Sequence, residues 1–300
     1  MKKTTLLLGL ALLGAIGMAQ TVESEPYNCG SISVGNIKDK VRLSDVDMNI
    51  PQTKNLNDKT YCIIFANENY QNEQKVPYAV HDGAMFKEYC VKTLGIPEKN
   101  IRYQANATLN NMRFEVEWLK QILAANKGKA KGIVYYSGHG MPDNRNNNSY
   151  LLPVDGYASA PKSGFSLDEL YAELGSADAD SVTYFIDACF SGANRYGEMM
   201  EESRGVKIKS KEGQLHGNSV VFSAAQGDET AYIYQEKSHG MFTYFLLKKL
   251  QETKGNVSYG NLSEFISERV NSMSLEENNK KQSPKTSSTM NDWEKMKLNK

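Results

Sequence analysis

The sequence predicts an α/β three-layer sandwich, with a mostly parallel central sheet and helices on both faces. Three observations carry this expectation. Short, largely apolar runs at residues 61–66, 132–136, 182–186 and 219–223 are typical of strands buried on both faces. Helical periodicities lie between and after them, which implies crossover connections and a covered parallel sheet. The composition is globular: 300 residues, 40% hydrophobic, 23% charged and 10% aromatic, which excludes disordered, collagenous and coiled-coil chains.

Along the chain, Met1 to Lys3 forms a short positive start, and residues 6–18 are apolar, interrupted only by Gly. This run suits an export signal and is too short to span a bilayer; Gly17-Met18-Ala19 predicts cleavage after Ala19. The chain is therefore expected to be exported, to the periplasm or beyond. Cys29 does not directly follow the apolar run, so no lipid anchor is expected, and no membrane association after signal removal. Residues 20–59 are polar and weakly patterned, and read as an extension, a pro-segment or a small added strand pair. Residues 60–300 form the main domain.

Within that domain, Val80, Ala84, Phe86 and Cys90 mark a helix ending near Gly95 and Pro97, followed by a short strand at 101–104. Leu109, Met112, Val116, Leu119 and Leu123 alternate spacings of three and four, the strongest helical signal, with Thr108 as N-cap. Pro153 marks a strand end or edge in the apolar run 150–154. Ser166-Leu-Asp-Glu169 is a capping box opening a helix to about Leu174. Phe242, Phe245, Leu246 and Leu250 mark another helix, and Leu262, Phe265, Ile266 and Val270 a last one. Residues 276–289 read as polar and mobile, apart from any short strand around Pro284.

In sheets of this kind chemistry sits beyond the C-terminal strand ends. Two such turns carry reactive residues. His139 follows the 132–136 run, Cys189 follows the 182–186 run, and both have Gly or Ala neighbours that permit sharp turns. A thiol and an imidazole suffice for acyl transfer: the thiolate attacks a carbonyl carbon and the imidazole handles the proton. The backbone N–H groups of Gly140 and Cys189 are the expected oxyanion donors.

These motifs resemble a known family. Tyr135-Tyr-Ser-Gly-His-Gly140 and Phe185-Ile-Asp-Ala-Cys-Phe-Ser-Gly192 resemble the His and Cys motifs of caspase-like cysteine peptidases (clan CD, family C14), closer to the bacterial and metacaspase branch. The separation, 189 − 139 = 50 residues, matches the caspase order and spacing. Tyr150-Leu-Leu-Pro-Val-Asp155, the stretch 223–231 and His239-Gly-Met-Phe-Thr-Tyr244 are similar to later parts of the family, so the resemblance spans about 61–270. It implies the caspase-haemoglobinase-like sheet of about six strands. It also implies peptide-bond cleavage through His139 and Cys189.

Animal caspases carry Gln-Ala-Cys where this chain has Asp187-Ala-Cys189. The resemblance to metacaspases places Asp187, Asp82 and Ser137 in the pocket for the residue before the scissile bond. Two carboxylates in one partly desolvated pocket favour a cationic guest, so cleavage after Arg or Lys is expected. Ser223 and Ala224 are expected to present a strand edge to the substrate peptide. Residues 193–218 carry Arg195, Arg204, Lys207, Lys209 and Lys211, and the resemblance implies a processing loop there, as in a self-cutting zymogen. The same preference for basic residues would allow a second self-cut at Lys54 or Lys59, releasing a pro-segment.

Thirty-five basic and 35 acidic residues cancel, which removes the basic excess nucleic-acid binding needs. His81, His216 and His239 lack metal-ligand spacing, the four Cys lack C-x-x-C spacing, and the acids form no calcium loop although some relatives require calcium. No metal and no cofactor are therefore expected. Cys29, Cys62 and Cys90 are expected to be buried or paired. Alternative readings are a catalytically silent caspase-fold binding module, a cysteine hydrolase or transferase of non-peptide acyl groups, and a peptidase of different preference.

Overall fold

A computed structural model of the chain describes residues 41–143, 145–191, 195 and 211–299. The export signal, Cys29 and most of the expected processing loop lie outside the described residues. The elements begin with β1 (Thr60–Ala66), α1 (Ala79–Lys92), β2 (Ile101–Ala105), α2 (Leu109–Ala125), β3 (Lys131–Ser137), β4 (Gly140–Pro142) and β5 (Ser149–Leu151). They continue with β6 (Phe165–Ser166), α3 (Leu167–Gly175), β7 (Ser181–Asp187), β8 (Ser219–Ser223), β9 (Ile233–Tyr234) and β10 (His239–Gly240). The last are α4 (Met241–Thr253), α5 (Tyr259–Asn278) and β11 (Lys285–Ser288).

The central sheet has six strands in the order β11-β8-β7-β3-β1-β2. Five are parallel and β11 pairs antiparallel with β8. Because side chains alternate across a strand, each apolar run feeds two cores. Cys62, Ile64, Tyr135, Phe185 and Phe222 pack toward α1, α4 and α5 through Phe86, Phe242 and Leu262. Ile63, Phe65, Val134, Tyr136, Tyr184 and Val221 pack toward α2 and α3 through Leu119, Leu123 and Leu170. Each fully buried side chain of this size contributes about 1.5–3 kcal/mol, so the two faces together fix the register of the sheet.

The Thr108 cap forms as expected, while the capping box expected at Ser166 forms only its Ser166 half among the described residues. Thr108 Oγ1 accepts from the Asn111 N–H, and Asn111 Oδ1 accepts in return from the Thr108 N–H. Ser166 accepts from the Glu169 N–H and opens α3.

Two segments are more ordered than their composition suggests. α5 continues to Asn278, into the stretch that reads as polar and mobile, and the short strand allowed around Pro284 is β11, which closes the sheet over 285–288. The polarity of β11 follows from its place at the sheet border, with its side chains half-exposed. The described part of the extension, residues 41–59, contains no strand and lies along α1. Val46 is fully buried, its carbonyl accepts from the Tyr89 hydroxyl, and the Thr53 and Asn57 N–H groups bond the carbonyls of Lys92 and Gly95.

The chain runs from β1 outward to β2, then returns to place β3 on the other side of β1. The C-terminal ends of β1, β3 and β7 therefore open at a topological switch point, where a doubly wound sheet presents its crevice.

Candidate active site

Strands β3 and β7 run side by side, with Ser137 paired to Asp187. The Gly138 N–H reaches the Asp187 carbonyl at 3.3 Å. His139 and Cys189 each follow two residues beyond this last pair, so the register delivers both to the same end of adjacent strands. The two turns touch closely: a Cβ at Gly140 would lie 2.6 Å from both the Cys189 carbonyl oxygen and the Phe190 ring. Only glycine permits that approach. A Cβ at Gly138 would collide in the same way with the hydroxyls of Tyr70 and Tyr136.

Those tyrosines hold the His139 turn. The Tyr70 hydroxyl accepts the His139 backbone N–H at 2.8 Å, and the two rings lie 4.8 Å apart. The Tyr136 hydroxyl reaches the carbonyls of His139 and Leu152 at 2.6 and 2.9 Å. The His139 ring meets the Gln74 carbonyl through Nε2 at 2.7 Å. A carbonyl only accepts, so Nε2 carries the proton and the neutral imidazole presents Nδ1 as its basic nitrogen.

Both reactive groups are buried and neutral. Burial pushes the His139 imidazole down to about 4; the Gln74 bond opposes this and the Arg195 charge adds to it. Burial pushes the Cys189 thiol up to about 11, with the Ala231 backbone hydrogen bond and the Arg195 charge pulling it partly back. In this state the uncharged pair is favoured over thiolate–imidazolium at neutral pH.

Beside them lies the expected acidic pocket. Asp82, in the first turn of α1, and Asp187, at the end of β7, are both fully buried, as is Ser137. The pocket contains the guanidinium of Arg195. Its Nη1 donates to Asp82 Oδ2 at 3.1 Å, and its Nη2 donates to Ser137 Oγ at 2.7 Å and lies 3.3 Å from Asp187 Oδ1. The three residues that the family resemblance implies for a cationic pocket thus surround one cation. Thr243 completes the Asp187 side, donating to Oδ2 at 2.6 Å, and Tyr135 donates in turn to Thr243. The Gly240 N–H donates to the Asp82 carboxylate. Burial and the neighbouring Asp82 charge raise Asp187, while the guanidinium opposes that rise. Burial pulls the Arg195 guanidinium down, but the two carboxylates outweigh it and raise it. The arginine Nε has no hydrogen-bond partner among the described residues.

The expected strand edge is a correction. β8 is an interior strand: Ser223 pairs with Ile186 on one side and with Lys285 on the other. The Ala224 N–H bonds the Ile186 carbonyl and its own carbonyl accepts from Gln282. Ser223 and Ala224 therefore offer no free edge for a peptide. The antiparallel β11, drawn from a polar stretch with weak strand signals, occupies it. Ser223 instead lines an open cleft with Phe190, Tyr171 and Ala225.

The remaining thiols and histidines fall out as follows. Cys62 and Cys90 are free and buried, and burial together with the neighbouring Cys90 raises the Cys62 thiol, as suits an inert core residue. His239 and His81, which lack ligand spacing in sequence, converge on Asp47 of the extension, 3.0 and 3.1 Å from its Oδ1. His239 Nδ1 lies 2.7 Å from Asp82 Oδ1.

Residues 59–293 match the family model of the caspase domain. The chain belongs to the caspase family. This family comprises cysteine peptidases, hydrolases whose substrates are polypeptides. Among solved structures the chain is similar to caspase-1 from Spodoptera frugiperda: 16% identity, TM-score 0.56, covering 84% of this chain and 95% of that one. It is also similar to protein GSU0716 from Geobacter sulfurreducens: 16% identity, TM-score 0.57, covering 80% of this chain and 97% of that one. At such identity these likenesses establish the fold. No curated protein matches the chain.

Proposed function

We propose that this caspase-domain protein is an exported cysteine endopeptidase that cleaves after arginine, and after lysine more weakly, with Cys189 as nucleophile and His139 as its base. The observation that carries the preference is the Arg195 guanidinium held between Asp82, Ser137 and Asp187. A planar fork engages several acceptors at once, whereas an ammonium offers a compact point charge, which favours Arg over Lys. The pocket's own arginine stands where a substrate arginine would stand, so turnover requires Arg195 to leave. Its place beside the reactive turns also supports self-processing in the 193–218 stretch.

In the proposed reaction His139 Nδ1 takes the proton from Cys189 Sγ, and the sulfur attacks the scissile carbonyl carbon. The resulting oxyanion is received by the N–H groups of Gly140 and Cys189. The C–N bond then breaks as the imidazolium returns its proton to the leaving amine. Water, deprotonated by His139, hydrolyses the thioester and restores the thiol. Gln74 takes no proton; its carbonyl fixes the tautomer that makes this sequence possible.

The burial of both reactive groups and the filled pocket also favour a second reading, a silent binding module of the same fold. A fluorogenic peptide panel with Arg, Lys or Asp before the leaving group separates the two. The expected order is Arg, then Lys, with Asp not cleaved, and Cys189→Ala abolishing turnover in a folded protein. Preference for Asp would overturn the acidic-pocket reading. If the Arg195→Ala variant is folded and still cleaves none of the peptides, the silent module stands.

A further inference from the structure

The cluster formed by Asp47, His81 and His239 takes no part in the proposed reaction, and its chemistry is that of a metal site. Asp47 belongs to the extension, His81 to the first turn of α1 and His239 to β10, so three distant stretches meet here. One ligand atom from each residue lies within 4.8 Å of the others. Asp47 Oδ1 is 3.0 Å from His239 Nε2 and 3.1 Å from His81 Nε2. Metal–ligand bonds of about 2.0–2.1 Å at tetrahedral angles separate ligand atoms by about 3.3 Å, so two of the three edges are already near their bound length. The imidazole rings are 4.6 Å apart and inclined at 30°.

The surrounding groups have the arrangement that orients metal ligands. His239 presents Nδ1 to Asp82 Oδ1 at 2.7 Å, a carboxylate–imidazole contact that fixes the ring and directs Nε2 toward Asp47. Asp47 Oδ2 accepts the Ser44 N–H at 2.6 Å, which leaves Oδ1 turned to the two imidazoles. His81 Nε2 is buried, and although in ion-pair range of Asp47 it has no well-aligned hydrogen bond. The His81 side chain is 13% exposed, so the cluster lies just beneath the surface.

We propose that Asp47, His81 and His239 bind a first-row transition-metal ion of the zinc class, which clasps the extension to the wall of the acidic pocket. Two imidazoles and one carboxylate select zinc-like ions over calcium, which takes oxygen ligands. Uptake displaces the proton that His239 Nε2 directs at Asp47, while the Nδ1 proton of His239 stays on its bond to Asp82. The bound ion thereby ties residues 44–50 to the residue that also holds Arg195.

The test uses the full chain carrying Cys189→Ala, which removes the reactive thiol as a competing ligand, stripped with chelator and titrated with Co²⁺. One equivalent is expected to bind, giving visible d–d absorption without a thiolate charge-transfer band, and Zn²⁺ displaces it. His81→Gln, a substitution at the rim of the cluster, and Asp47→Asn should each weaken Zn²⁺ binding by about ten-fold or more. His216→Ala should leave it unchanged. The proposal is overturned if the intact chain shows no saturable uptake, if the Co²⁺ spectrum carries the thiolate band, or if both ligand variants bind as tightly as the parent.

Discussion

His139 and His239 are enclosed to the same degree, 1% and 0% exposed, yet their imidazoles are driven in opposite directions. His139 falls to about 4 and His239 rises to about 9. Burial lowers both, so burial does not decide the difference. His239 sits between Asp47 and Asp82, and two carboxylates more than offset its desolvation. Among the described residues the His139 ring hydrogen-bonds the Gln74 carbonyl and no carboxylate, and it feels the Arg195 cation. One end of a single sheet thus keeps ions on its pocket side and removes them on its sulfur side. The acids gather charge that suits a cationic guest, and the reactive pair is left uncharged, with the proton still on sulfur.

The largest expected effect comes from removing the cation that links the two sides. In Arg195→Met, Asp82 and Asp187 lose a buried partner, and breaking such a pair costs about 3–5 kcal/mol. Urea denaturation at neutral pH measures it. Unchanged stability would break the contrast, because the carboxylates would then need no guest. The same variant sharpens it by NMR: with the guanidinium gone, the His139 imidazole should titrate higher than in the parent.

The two histidines should next separate by pH window, in protein free of added metal. The folded state depresses His139, so its contribution is present above 6.5 and is lost as pH falls toward 4, about 3 kcal/mol in all. His139→Gln should flatten the stability profile there. Asp45 and Asp47, held below the ordinary carboxylate range, weaken the fold only at still lower pH. The folded state raises His239, so its contribution is present below 6.5 and is lost as pH climbs through about 9, again about 3 kcal/mol. His239→Gln should flatten that limb. Cys189 adds its own loss only between 9 and about 11. Parallel profiles for the two variants would show that burial, and not the partner, sets both shifts.

The contrast also explains what the sequence could show. The four apolar runs became interior strands, and the turns after two of them carry His139 and Cys189, because buried parallel strands need continuous hydrophobic sequence. The convergence of Asp82, Ser137 and Asp187 was legible through family resemblance. β11 was legible only as a short strand allowed around Pro284, since a strand at the sheet border needs few apolar side chains. Gln74 was invisible because it acts through its carbonyl, which any residue supplies. Asp47 lies more than thirty residues before its partner His81, in a polar stretch without periodicity, so nothing local marks it. Arg195 read as one base among several in a polar loop. Its meaning comes only from the two carboxylates that the sheet register and α1 bring together around it.

The smallest effect probes how the uncharged side is built. In Tyr70→Phe the ring stays against His139, but the His139 backbone N–H loses its acceptor and the Leu152 carbonyl loses a donor at 3.3 Å. An unmade buried hydrogen bond costs about 1–3 kcal/mol, and the Tyr136 hydroxyl, still in reach of the same carbonyl, keeps the loss near the lower end. Tyr70 does not contact Asp82, Ser137 or Asp187 through any of these bonds. In the proposed enzyme the variant should therefore lower kcat for an Arg peptide several-fold with little change in KM. A raised KM with unchanged kcat would mean that the His139 turn and the acidic pocket are one mechanical unit, and the division of this sheet end into a charged and an uncharged side would not hold.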